Sequence, residues 1–143
     1  MAAPSSSAPK RAAASRSSRR FTLEQANKSL PLVKRIVADI VKMHAQAVTC
    51  REAVDQAKGA RESAAAQKDL DATVDRLSAL VDELSDVGAE LKDYDTGLID
   101  FVGKHDGRDV YLCWKLGEER ITHWHELNAG FAGRKPVSLL REG

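Results

Sequence analysis

Two histidines flank a tryptophan at His123-Trp124-His125, and Glu126 follows. Residues two apart on a strand point to one face, so both imidazoles can meet one divalent metal ion there. Glu126 is the adjacent carboxylate for a third ligand; Asp100, or Glu90 and Asp93, are acids from elsewhere. Glu90 and Asp93 are three apart and share a face if that stretch is helical. A His-x-His pair also suits a sheet edge, bonded to backbone or water. The chain carries no Cys-rich zinc pattern and no helical His-Glu-x-x-His.

Three further groups lie between residues 90 and 134. Asp100, Lys92 and Asp93, beside Gly97, can do general acid–base work with a histidine, or form a solvated ion-pair network. Gly130-Phe131-Ala132-Gly133-Arg134 can present Arg134 to an anion, since its planar fork matches carboxylate or phosphate. Alternatively Phe131 anchors the loop and Arg134 pairs with an acid. Cys113 shares a strand face with Tyr111 and Lys115 and is a nucleophile candidate near His125, without an elbow or oxyanion-hole motif to support it. Val110, Leu112, Trp114 and Leu116 form the opposite, core-facing set. The resulting short list is His125, Asp100, Arg134, Glu90 and Asp93, with His123 and Cys113 as optional members.

These groups need positioning by a chain of 143 residues, which fits one domain. Charged residues make up 30% and aromatics 5%, a balance that favours helices with long solvated faces. No apolar run reaches the roughly 18 residues of a membrane span. The net charge of +1 hides an asymmetry: Lys10, Arg11, Arg16, Arg19 and Arg20 give residues 1–20 +5 without an acid, leaving −4 for the remainder. Nucleic-acid contact is therefore expected from the tail alone, and weakly. Cys50 and Cys113 are too few for a disulfide framework, and both are expected reduced in a cytosol.

Residues 1–20 hold no large apolar side chain and are read as a disordered basic tail. Their Arg- and Ser-rich make-up also resembles a transit peptide, and a plain basic extension is preferred. The folded domain is expected over 21–143. Thr22 and Gln25 form a capping box, and Pro31 predicts a kink or a fresh helix start. An apolar stripe from Leu32 to Val54 predicts a helix to about residue 58, with Gly59 bending or ending it. Residues 60–69 read as a hairpin tip or frayed helix. Leu70, Val74, Leu77, Val81, Leu84, Gly88 and Leu91 then trace a heptad, coiled-coil-like seam. Beyond Gly97 the period drops to two. Strands are expected at 98–102, 109–116 and 120–125, joined by turns at 103–107 and 117–119, with loop from 128 onward.

Five blocks in this order resemble a bacterial family, domain-of-unknown-function family 2203, over residues 21–137. They are Phe21-Thr-Leu-Glu-Gln-Ala-Asn27 with Leu30-Pro-Leu-Val33, Glu90-Leu-Lys-Asp93, Gly97-Leu-Ile-Asp-Phe101, Tyr111-Leu-Cys-Trp114, and Trp124-His125 with Gly130-Phe-Ala-Gly-Arg134. The resemblance implies a bacterial, cytoplasmic protein and brings no activity. His123 lies outside the shared pattern. The expected class is α+β, mainly α: a long antiparallel helical hairpin with a short leading helix and a small antiparallel β-meander. A hairpin of this length predicts a homodimer. Two functions follow as expectations. One is a non-enzymatic oligomeric binding or scaffold protein that recognises a small anionic molecule or a protein partner at its sheet end. The other is a small metal-dependent or acid–base enzyme using His125, Asp100 and Arg134, a divalent metal being the one cofactor expected.

Overall fold

The computed structural model describes residues 19–143. The expectation of a disordered tail falls outside the described residues, except at its end. Arg19 donates to the Val87 carbonyl at 3.0 Å, and Arg20 pairs with Asp109 at 2.9 Å. Both therefore belong with the folded unit.

Two long helices lead into one antiparallel sheet. Helix α1 spans Leu23–Gln56 and α2 spans Gly59–Val87; β1 (Ala89–Asp93), β2 (Leu98–His105), β3 (Arg108–Lys115), β4 (His123–Glu126) and β5 (Lys135–Pro136) follow. The sheet order is β1-β2-β3-β4-β5. No helix among the described residues is long and apolar enough to cross a membrane.

The capping box forms as the sequence requires. Thr22 Oγ1 accepts from the Gln25 amide at 3.0 Å, and Gln25 Oε1 accepts from the Thr22 amide at 2.9 Å. The expected short leading helix does not separate, because Pro31 sits inside a continuous α1. An interior proline costs about 3 kcal/mol. Burial of Ala26, Leu30, Val33, Ile36, Val37 and Ile40 on one face of α1 opposes that cost. Residues 60–69 are not a tip either. The helices are joined by Ala57–Lys58 alone, and α2 begins at Gly59.

The second helix ends earlier than its heptad pattern suggests. Gly88 adopts φ 117°, the left-handed cap that closes many helices, and its amide bonds the Leu84 carbonyl at 3.2 Å. The Phe21 ring and the Arg19 stem lie against the Gly88 backbone, so close that a Cβ would come within 2.7 Å of each. Arg19 meanwhile satisfies the free carbonyl of Val87. Leu91 thus leaves the helical seam for β1, and Glu90 and Asp93 lie on a strand rather than on one helix face.

The turn after β2 is also tighter than expected. Asp106 (φ 50°) and Gly107 (φ 81°) are both left-handed, as a two-residue hairpin of the right twist requires. Strand β2 therefore continues through Gly103 to His105. Its register with β3 sets Ile99 opposite Trp114 and Phe101 opposite Leu112, and β4 sets Trp124 beside Leu112. These side chains face the helices and join Val33, Ile36, Val37, Ile40 and Leu84 in the core. Beyond β4 the chain makes single 3-10 turns at Phe131–Gly133 and Val137–Leu139 rather than plain loop. Its end returns to the sheet. The Arg141 amide donates to His105 Nδ1 at 3.0 Å, and Glu142 accepts from the Leu23 amide at 2.6 Å.

Candidate functional site: a buried carboxylate, thiol and imidazole on the outer sheet face

The strand period that points Phe101, Leu112 and Trp124 at the helices points their neighbours the other way. Across β1 and β2 Glu90 sits opposite Asp100. Asp100 is opposite Cys113, Tyr111 is opposite His125, and Cys113 is opposite His123. One face of the sheet thereby collects two acids, a phenol, a thiol and two imidazoles. Three of these groups are sealed: Cys113 is 0%, and Asp100 and His125 are each 3%, exposed.

His125 Nδ1 meets the Glu126 carbonyl at 2.8 Å. A carbonyl only accepts, so Nδ1 carries hydrogen. Nε2 faces both oxygens of Asp100 at 3.2 Å. One proton lies in that contact, on the imidazole or on the carboxyl. Burial raises Asp100 above the ordinary carboxylate range, and His125, Lys92 and Cys113 act in the opposite direction. The Cys113 sulfur lies within 4.8 Å of the same carboxylate. Burial first, and then the Asp100 charge, push its thiol up to about 12.

These surroundings decide what Cys113 can do. Its sulfur lies within 4.8 Å of an Asp100 oxygen and of a His125 nitrogen, while His125 Nε2 is turned to the Asp100 carboxylate. A nucleophilic cysteine needs an adjacent base and a lowered pKa. Cys113 has the reverse of the second requirement and is sealed from solvent.

Around the sealed trio runs a more open ring. The Tyr111 hydroxyl donates to Glu90 at 3.1 Å, and Lys92 pairs with Glu90 at 3.0 Å while lying 4.5 Å from the Tyr111 ring centre. Lys92 reaches this position from an irregularity in the β1–β2 pairing between Leu91 and Asp93. On the other side Arg134 donates to Glu118 at 2.9 Å and to His123 Nδ1 at 2.7 Å, and stacks 4.5 Å from the Phe131 ring.

The structure thus divides the expected residues. Asp100 and His125 come together, with Glu90 beside them. His123 shares the face but is engaged by Arg134. Glu126 lies on the opposite face, paired with Arg108 through two hydrogen bonds, so His123, His125 and Glu126 do not converge on one point. Asp93 accepts from the Thr96 hydroxyl and amide, which hold its carboxyl below the usual range, and closes the β1–β2 turn. Phe131 is not a core anchor: it is 43% exposed. His44, on α1, contacts Asp95 at 3.3 Å and lies against the Tyr94 ring at a tilt.

Glu118, the partner of Arg134, was not among the expected site residues; nothing in its short turn distinguishes it in sequence. The pairing of Cys113 with Asp100 did have a signal. Taking Asp106-Gly107 as a two-residue turn and counting back equally along both strands brings these two residues opposite each other.

The model of one protein family, Uncharacterized conserved protein (DUF2203), matches residues 19–137, and the chain belongs to that family. No curated protein and no solved structure matches the chain.

Proposed function

From membership in a family whose description assigns no activity, we propose that the protein is a non-enzymatic assembly module. Two copies join through their helical hairpins, and the sheet end of each receives an anionic group. The observation that carries this reading is where the unsatisfied surface lies. The Asp100–His125 pair of the sheet is buried and hydrogen-bonded. Large apolar side chains stand open at the sheet end, at Leu127, Phe131 and Leu139, and also along the hairpin, where Val48 is 48% and Val74 43% exposed, with Tyr94 of the β1–β2 turn beside them at 40%.

Val48, Val74 and Tyr94 fall on one side of the hairpin. Tyr94 packs against His44 of α1 with ring centres 5.1 Å apart, and Val48 follows His44 by one helical turn. Tyr94 also lines an open hollow with Val74, Leu77 and Val81 of α2. Two helices alone cannot close such a stripe. A second hairpin placed against it completes a four-helix arrangement with its own copy of the same stripe. At the other end Phe131 stands open between Arg134 and Lys115, whose ammonium is 5.2 Å from the ring centre. This cation-lined aromatic ledge supports an anionic ligand or acidic partner segment. The acid–base enzyme reading has less support, since Arg134 is bound to Glu118 and His123 rather than directed at the Asp100–His125 pair.

Light scattering on the full chain tests assembly. The expected mass is twice the 15.6 kDa of the chain. Val48→Glu with Val74→Glu should give a folded monomer with unchanged helical circular dichroism. A monodisperse wild-type monomer removes the proposal.

A further inference from the structure

We propose that Asp100, Cys113 and His125 form a binding site for a zinc-class divalent cation. One ligand atom from each lies within 4.8 Å of the others, and all three residues are buried. They offer an oxygen, a sulfur and a nitrogen, a donor set that suits zinc and disfavours magnesium or calcium. The ligand set differs from the His123, His125 and Glu126 grouping, because strand register, not sequence adjacency, brings its members together.

One observation beyond proximity, and one argument from charge, support the site. The first is the hydrogen bond from His125 Nδ1 to the Glu126 carbonyl, which fixes the ring and leaves Nε2 aimed at the cluster. Metal-binding imidazoles are held in this way by their far nitrogen. The second is charge. With one proton between Asp100 and His125 and another on Cys113, the trio is neutral. A divalent ion that takes the place of both protons binds carboxylate, thiolate and neutral imidazole, and the trio is neutral again. The exchange forms metal–oxygen, metal–sulfur and metal–nitrogen bonds. It breaks the shared N–H or O–H bond and the S–H bond, releases two protons to solvent and changes no oxidation state. A charge-conserving exchange avoids the heavy penalty of burying a net charge.

The test uses the full chain carrying Cys50→Ser, so that Cys113 supplies the sole thiol. Cobalt(II), a spectroscopic stand-in for zinc, should bind one ion per chain and give a thiolate-to-cobalt absorption band in the near ultraviolet. Zinc should abolish that band by displacement and raise the melting temperature. Calorimetry of zinc binding in buffers of different ionisation enthalpy should report two protons released per ion. Cys113→Ser in the same background should lose the band. Absence of the thiolate band and of any zinc-dependent thermal shift in the Cys50→Ser protein overturns the proposal. So does binding that releases no protons.

Discussion

The two ends of α1 lie in different surroundings. Near the sheet the helix buries Ala26, Leu30, Val33, Ile36, Val37 and Ile40; past Ile40 it buries nothing fully. Helix α2 repeats the contrast, with Thr73 and Leu84 its only buried residues. Thr73 is itself polar, bonded to the Asp69 carbonyl at 2.9 Å and 3.7 Å from the Cys50 sulfur. The sheet end is a three-sided core in which strands cover two helices. The outer hairpin is two helices covering each other. The apolar stripe of α1 runs from Leu32 to Val54 through both regions, so amphipathic pattern alone does not measure burial; the layer opposite the stripe does.

Core truncation tests the contrast most strongly. Trp114→Ala removes a fully buried ring that also bonds the Glu118 carbonyl, and should destabilise by about 3–5 kcal/mol in denaturant unfolding. Val54→Ala near the hairpin end should cost about 1 kcal/mol or less. Equal losses would break the distinction between the two regions.

Two glycines of positive φ sharpen it. Gly88 and Gly59 both have positive φ, 117° and 82°. An alanine Cβ at Gly88 meets Arg19 and Phe21 within 2.7 Å, whereas at Gly59 nothing lies within 4 Å. Gly59→Ala should cost the left-handed strain alone, roughly 1–2 kcal/mol. Gly88→Ala should cost measurably more in thermal unfolding, because Phe21 must move as well.

The smallest effect concerns the cysteines. Cys113 is fully buried and Cys50 partly exposed. Alkylation followed by peptide mass spectrometry at mildly alkaline pH should modify Cys50 at least about tenfold faster. The thiol of Cys113 also links stability to pH. The native state keeps a proton that the unfolded chain releases from about 9.0 upward, so this contribution is complete below that pH and is lost as pH rises toward about 12. Cys113→Ala should flatten that alkaline decline.

Much of this architecture was legible where a local rule and the tertiary context agree. The Thr22–Gln25 box, the hairpin of long helices and the change to strand period after Gly97 all follow from neighbouring residues. Pro31 misled because its local penalty is opposed by distant core burial, which no window of sequence contains. Gly88 misled because its place in a heptad and its role as a helix cap predict different structures; Arg19 and Phe21, far away in the chain, favour the cap. The candidate site was half legible. Asp100 and His125 stood out by type, while Cys113 joined them only once the Asp106-Gly107 turn fixed the register. Glu126 was misplaced by adjacency: on a strand the next residue always belongs to the other face.

The return of the chain end to its beginning has a topological consequence. The Glu142 carboxylate bonds the Leu23 amide, and Arg141 bonds Asp106 a short distance from where Arg20 meets Asp109. Residues 141–142 and the segment leading into α1 therefore meet beside the sheet, and the Ala57–Lys58 connection lies where the two helices turn back. A linker from residue 143 back to residue 19, with the ring so made opened between Ala57 and Lys58, should keep every strand pairing and turn the hairpin into two separately tethered helices, each with a free end for fusion.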